Sequence, residues 1–174
     1  MLSDVEIREL LAQAEARRWE GHVYRHMFAG IPPDRENVRG ARWNAPGVAA
    51  IYTSLHRSTA LAEANFRLSL ESIPLRRDAA RTIYRIQIEL SKVVDLREWD
   101  QLSQFGITRV MLDSIEQSCI RVCQQVGAGV DWHGFEGLMV PSARADGANM
   151  VIFPKNRRSG WQFEVVDREE VQNE

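Results

Sequence analysis

The sequence predicts an α+β fold: one compact domain with a mainly antiparallel or mixed sheet and flanking helices. Three observations carry that expectation. The chain has 174 residues, the length of one ordinary domain and enough to bury a sizeable core. Its clearest strand, residues 82–90, alternates Tyr84, Ile86, Ile88 and Leu90 with Arg85, Gln87 and Glu89. Strand and helix patterns do not alternate regularly along the chain, which argues against a doubly wound parallel sheet.

The elements follow in order. Residues 4–19 read as an amphipathic helix, with Ser3 and Glu6 as a capping box and Val5, Leu10 and Leu11 opening an apolar stripe. Residues 1–20 are therefore expected to be an N-terminal helical extension ahead of a single globular domain spanning 21–174. Residues 22–28, HVYRHMF, read as a strand, and residues 29–41 as a loop punctuated by Gly30, Pro32, Pro33 and Gly40. Residues 48–53, VAAIYT, look like a short buried strand. Residues 58–70 read as a helix with Ser58 or Thr59 available as its cap. Residues 108–126 read as a second long helix with Met111, Leu112, Ile115, Cys119, Val122, Cys123 and Val126 on one side. Three short strands are expected at 137–141, 149–153 and 161–166.

Composition narrows the function classes. The apolar fraction is 44%, the charged fraction 26% and the formal net charge −2. A protein that grips nucleic acid by neutralising phosphates usually carries a basic excess, so direct nucleic-acid binding is not expected. The N-terminal MLSDVEIREL has no apolar signal-peptide core, and no stretch approaches the ~18 apolar residues of a membrane span. The expected location is the cytoplasm, although a secreted effector could carry the same domain. Cys119 and Cys123 cannot complete a four-ligand zinc site alone and read as small apolar residues on a buried helical face. His22, His26 and His56 are scattered without metal-ligand spacing, and His133 reads as a loop or structural histidine.

Two segments are unusual for a plain core. Residues 39–67 place Arg42 and Trp43 before a Pro-Gly turn, Tyr52 at the end of an apolar strand, and Glu63 eleven residues later on a helix. Residues 134–154 bring a short apolar strand to Pro141 and Ser142 in a glycine-containing loop. A strand end, a loop and a helix face can converge on one cleft. Arg42 offers a planar fork of donors matched to phosphate. Tyr52 and Trp43 offer flat faces for a ring. Glu63 can accept hydrogen bonds from ribose hydroxyls and stabilise an oxocarbenium ion, the charge formed when a glycosidic bond breaks. Ser142 can donate to a phosphate or an amide. Each residue also has a plainer reading: Arg42 a surface charge, Tyr52 a core ring, Glu63 a partner of Arg67 four residues on, Ser142 a turn residue. Asn37 and Asn149 could contact a ligand, but polar loop residues are the simpler reading.

The order of four blocks resembles the RES domain, a family named for its Arg, Glu and Ser. The blocks are Tyr24-Arg25; the Arg42-Trp43-Asn44 run; the Tyr52-to-Ser54 unit followed by a helical Glu63; and Val140 to Ala143. Together they cover residues 22–154. The helix at 1–20 precedes the usual domain start, and the tail after about residue 155, with Trp161 and Phe163, lies outside the matched blocks. The resemblance implies a fold related to ADP-ribosyltransferases and consumption of NAD⁺ by hydrolysis or phosphorolysis, with release of nicotinamide. It implies Glu63, Arg42 and Tyr52 as catalytic residues and Arg25, Trp43 and Ser142 as substrate-binding ones. It further implies NAD⁺ as substrate with no cofactor or metal, a toxin role, and a helix-turn-helix antitoxin of the Xre type as partner.

Three other functions compete. An ADP-ribosyltransferase would pass the same group to a macromolecule. A catalytically silent module would keep the nucleotide cleft without turnover, against which the intact Arg42, Tyr52, Glu63 and Ser142 argue. A ribonuclease toxin would need a charge balance that this chain lacks. The sequence leaves open the acceptor of the ADP-ribosyl group and the oligomeric state, including a homo-oligomer.

Overall fold

The structure is a computed structural model that describes residues 2–70, 80–158 and 161–171. Its first helix, α1 (Asp4–Ala12), begins as the sequence dictates: the Ser3 hydroxyl accepts from the Glu6 amide, and the Glu6 carboxylate accepts from the Ser3 amide at 2.8 Å. Ile7 and Leu11, one turn apart, bury their side chains in the main core. The helix expected over 4–19 stops there, however. Residues 16–20, assigned from sequence to the helical extension, instead open strand β1 (Ala16–Phe28). The reason lies across the sheet. Strand β3 (Arg81–Asp95) is fifteen residues long and pairs with β1 from Ala16↔Val94 to Phe28↔Arg81. Residues 15–18, EARR, carry no apolar stripe to bury as helix, so the ladder takes them.

The sheet is mixed, as expected, but it also closes. Strand β2 (Ile51–Ser54) runs antiparallel to β5 (Ala148–Ile152), and β5 antiparallel to β4 (Gly137–Pro141). Strand β4 lies parallel to the end of β3, from Val93↔Gly137 to Asp95↔Met139. Strand β1 meets β2 at Tyr24↔Ser54, which completes a five-stranded barrel. Strand β6 (Gln162–Val171) covers the part of β3 that β4 does not reach, from Arg81↔Val171 to Glu89↔Gln162.

Two packed clusters follow from the strand alternation. Val23, Ile51, Ile86, Ile88, Leu90, Met139, Met150 and Ile152 come from all five barrel strands and fill the barrel. Leu138, Val140 and Val151 point the other way and meet the helices. These are α1, α3 (Trp99–Gln104), α4 (Arg109–Asp113) and α5 (Gln117–Trp132), while α2 (Arg57–Leu70) follows β2. A 3₁₀ turn, Pro154–Asn156, follows β5.

The single helix expected over 108–126 is two helices. Ser114 is extended (ψ 146°), and its hydroxyl accepts from the Glu116 amide at 3.1 Å, an alternative to helix that serine readily supplies. Beyond it α5 continues through Gly127 and Gly129 to Trp132. Cys123 is fully buried and Cys119 half-buried, both as free thiols, in line with the apolar reading. His133 ends α5 with Nε2 2.8 Å from the Arg8 carbonyl oxygen, a contact between α5 and α1. No helix among the described residues is long and apolar enough to cross a membrane.

Candidate active site

Asn44 organises the turn that follows Arg42. Wholly buried, it donates from Nδ2 to the carbonyls of Asn37 (3.0 Å) and Val48 (2.7 Å), and its Oδ1 accepts from the Tyr52 hydroxyl at 2.7 Å. The same hydroxyl accepts from the Trp43 amide at 2.9 Å. Helix α5 supports the turn from behind: Gln124 donates to the Ala41 carbonyl at 2.9 Å, and Gly127 brings its backbone against the Trp43 carbonyl. Trp43 is only 3% exposed and its ring belongs to the main core, so it presents no open face here. Burial pushes the Tyr52 phenol well above its ordinary pKa, which keeps it a neutral donor. Tyr52→Phe is accordingly expected to lower stability by about 1–3 kcal/mol, because the Trp43 amide and Asn44 Oδ1 are left without a partner. Urea denaturation measures the loss; an unchanged midpoint would mean that the phenol does not hold the turn.

Arg42 leaves this turn and reaches the end of α4. Its guanidinium donates to the Ser114 carbonyl at 2.7 Å and, at 3.5 Å, to that of Met111. Arg144 reaches the same stretch, donating to the Asp113 carbonyl at 2.8 Å while its guanidinium stacks 3.4 Å from the Phe66 ring centre. Burial and the nearby Arg42 charge lower the Arg144 pKa, against the pull of Glu63 and Asp113. Two guanidinium groups thus sit within electrostatic reach of each other, Arg42 also lying against the Cys123 thiol and Arg144 against the Phe66 ring. Arg25 is placed differently. It is 9% exposed and donates to the carbonyls of Pro33 and Arg35, pinning the loop after β1. Burial lowers its pKa to about 10, so it stays charged at neutral pH.

Glu63 lies on α2 and faces the β4–β5 turn. Its Oε1 accepts from the Ser142 hydroxyl at 2.6 Å and from Asn149 Nδ2 at 2.9 Å. Ser142 is itself fixed, since its Oγ accepts from the Arg144 amide (3.0 Å) and the Ala145 amide (3.2 Å). Asn149 Oδ1 accepts from the Ser54 hydroxyl at 2.7 Å. No described residue donates a hydrogen bond to Glu63 Oε2.

The structure therefore brings Glu63 and Ser142 into direct contact and joins Arg42 to Tyr52 through the Trp43-Asn44 turn. Arg144 links the two groups, because its charge acts on both Arg42 and Glu63 and its amide binds Ser142. The Arg25 side chain and the Trp43 ring stand apart from this contact network, one under the loop and one in the core. Reading by residue type overlooked Asn44, Ser54 and Arg144, and set Asn149 aside as a polar loop residue, whereas it lies in strand β5. The signals were present: Asn44 and Ser54 lie inside quoted motif blocks, and Arg144 follows the Ser142-Ala143 pair directly. Chemically, a carboxylate with one oxygen unbonded among the described residues, near the Arg144 guanidinium that in turn lies near Arg42, suits an anionic substrate that develops positive charge as it reacts.

Comparison with known proteins gives one family and one fold. A family model described as the RES domain matches residues 14–172, which takes in β6 and extends well past the motif blocks. No curated protein sequence matches the chain significantly. Among solved structures, a chain of the crystal structure of the M. tuberculosis MbcT-MbcA toxin-antitoxin complex superposes with a TM-score of 0.79 and 21% identity. That match covers 99% of this chain and 95% of the other. At that identity the likeness concerns the fold. A crystal structure of an anti-CRISPR protein reaches a TM-score of only 0.40 at 10% identity, over 91% of this chain and 99% of the other, and carries no argument.

Proposed function

The chain belongs to the RES-domain family, and from that premise we propose that it is an enzyme cleaving the glycosidic bond of NAD⁺ and acting as a growth-inhibiting toxin. The observation that carries the reading is the Glu63 carboxylate, bonded among the described residues through Oε1 alone and close enough to Arg144 for their charges to interact. Arg42 and Arg144 exchange their carbonyl partners on α4 and its following turn for the pyrophosphate of the dinucleotide. An ionised acceptor holds such forks more strongly than a neutral carbonyl does. Glu63 Oε2 faces the ribose next to nicotinamide and accepts from its hydroxyls. As the bond from ribose C1′ to the nicotinamide nitrogen breaks, the electron pair leaves with nicotinamide, which departs neutral. The positive charge left on the sugar is stabilised by the Glu63 carboxylate. Water then adds at C1′ and loses a proton, giving ADP-ribose; inorganic phosphate in its place gives ADP-ribose phosphorylated at that carbon. Tyr52 acts from behind by holding the Trp43-Asn44 turn and hence the start of Arg42.

The M. tuberculosis structure pairs a toxin with an antitoxin. By analogy, a helix-turn-helix protein of the Xre type is the proposed partner here, with the cytoplasm as the place of action. Kinship with ADP-ribosyltransferases belongs to the same proposal.

Two measurements test the reading. Purified protein incubated with NAD⁺, with and without phosphate, is analysed by mass spectrometry for nicotinamide and the sugar product. Expression in a bacterial cytoplasm should lower cellular NAD⁺ before growth stops, and the Arg42→Ala/Glu63→Ala double variant should be soluble and harmless. Growth arrest with an undiminished NAD⁺ pool would overturn the proposal in favour of transfer to a macromolecule.

A further inference from the structure

Both donors that bind Glu63 bind the same oxygen. Ser142 and Asn149 together occupy Oε1 and leave Oε2 without a donor among the described residues. The two donors are mounted on different elements. Ser142 sits in the turn between β4 and β5. Asn149 lies within β5, paired across the ladder with Ser54 on one side and Val140 on the other. Its side chain points to the same face as Tyr52, Ser54 and Val151, as strand alternation requires. A carboxylate can only accept, so the Asn149 amide must turn its nitrogen toward Glu63 and its oxygen toward Ser54. The Ser54 hydroxyl, 4% exposed, donates to that oxygen. The result is a one-way relay from Ser54 through Asn149 to Glu63, in which each bond polarises the next.

We propose that Asn149, oriented by Ser54, is the positioning residue that fixes which Glu63 oxygen meets the substrate. This rests on the reading of Glu63 as the carboxylate facing the sugar. Without Asn149, the carboxylate keeps a single donor, the Ser142 hydroxyl, and can rotate about that one bond. A displaced reactive group of this kind costs rate while leaving binding by the arginines intact.

The test compares wild type, Asn149→Ala, Asn149→Asp, Ser54→Ala and Ser54→Thr by nicotinamide-release kinetics, urea denaturation and ligand-free crystal structures. For Asn149→Ala, kcat should fall about 10²-fold, as misplacement by about an ångström does, with KM changed by no more than about twofold. Its Glu63 carboxylate should leave the wild-type position. Asn149→Asp keeps the shape but replaces the donor by an acceptor, and should lose at least as much. Ser54→Ala should lose about tenfold, and Ser54→Thr, which restores the hydroxyl, should regain most of it. A merely structural role would lower the urea midpoint and raise KM without a selective loss of kcat, and that result would overturn the proposal. So would an Asn149→Ala crystal structure with Glu63 unmoved. If wild type releases no nicotinamide, the functional reading fails, yet the position of Glu63 in the variant crystals still decides whether Asn149 holds it.

Discussion

Glu63→Gln is expected to fold like the wild type, retain most of its NAD⁺ affinity and release nicotinamide about 10²–10³-fold more slowly. The geometry makes the substitution clean. Ser142 and Asn149 both donate to Oε1, so the glutamine carbonyl oxygen takes that place and keeps both bonds. The amide nitrogen then occupies the position of Oε2. A neutral donor then replaces an anionic acceptor at the atom that the proposed mode turns toward the sugar, and the developing positive charge would lose its stabilising partner. Binding should change little, since the proposed mode gives the pyrophosphate to Arg42 and Arg144. Stopped assays of nicotinamide release, with affinity measured by calorimetry on the slow variant, separate the two effects. Turnover at wild-type speed would mean that Glu63 is not the reacting carboxylate.

The sequence exposed the parts of this molecule that follow from local chemistry. The Ser3-Glu6 capping box, the alternation over 82–90 and the apolar face holding Val122, Cys123 and Val126 all mark elements that are present. It concealed what depends on distant partners. The stretch 16–20 forms a strand because β3 lies beside it, and no property of those residues announces a partner seventy positions away. Barrel closure rests on the Tyr24↔Ser54 pairing, which leaves no periodic trace. The site shows the same division. Arg42, Tyr52, Glu63 and Ser142 suit a dinucleotide by residue type, but each also fits a plainer reading, and it is the order of the motif blocks that singles them out. Their supports did not stand out, because an asparagine such as the buried Asn44 or the half-buried Asn149 resembles any loop asparagine until the groups it bonds are known.

Gly127→Ala is expected to be the most damaging single-methyl change in the protein, although it lies on neither α2 nor a barrel strand. In an exposed helix, replacing glycine by alanine stabilises by about 1 kcal/mol. At Gly127 the added Cβ would stand 1.7 Å from the Trp43 carbonyl oxygen and 2.7 Å from its carbon. Both are backbone atoms, so neither can swing aside as a flexible side chain would. Either α5 withdraws or the turn carrying Arg42, Trp43 and Asn44 moves. Withdrawal opens the core around Val122, Cys123, Val126 and Val130 and breaks the Gln124 bond to Ala41. Movement of the turn breaks the Tyr52 bonds to Trp43 and Asn44 and drags Arg42 from its position. Overpacking usually costs about 1–3 kcal/mol and more where the backbone must shift, so the net loss should be about 3 kcal/mol or greater despite the gain in helix propensity. Whatever protein remains folded should also lose turnover, because the turn and the arginine move together. Ala128→Gly, one position along on the exposed side of α5, isolates the propensity effect and should cost about 1 kcal/mol with activity intact. If urea denaturation finds Gly127→Ala as stable as wild type, α5 does not press on the Trp43 carbonyl. The platform role assigned to this helix beneath the arginine would then be wrong.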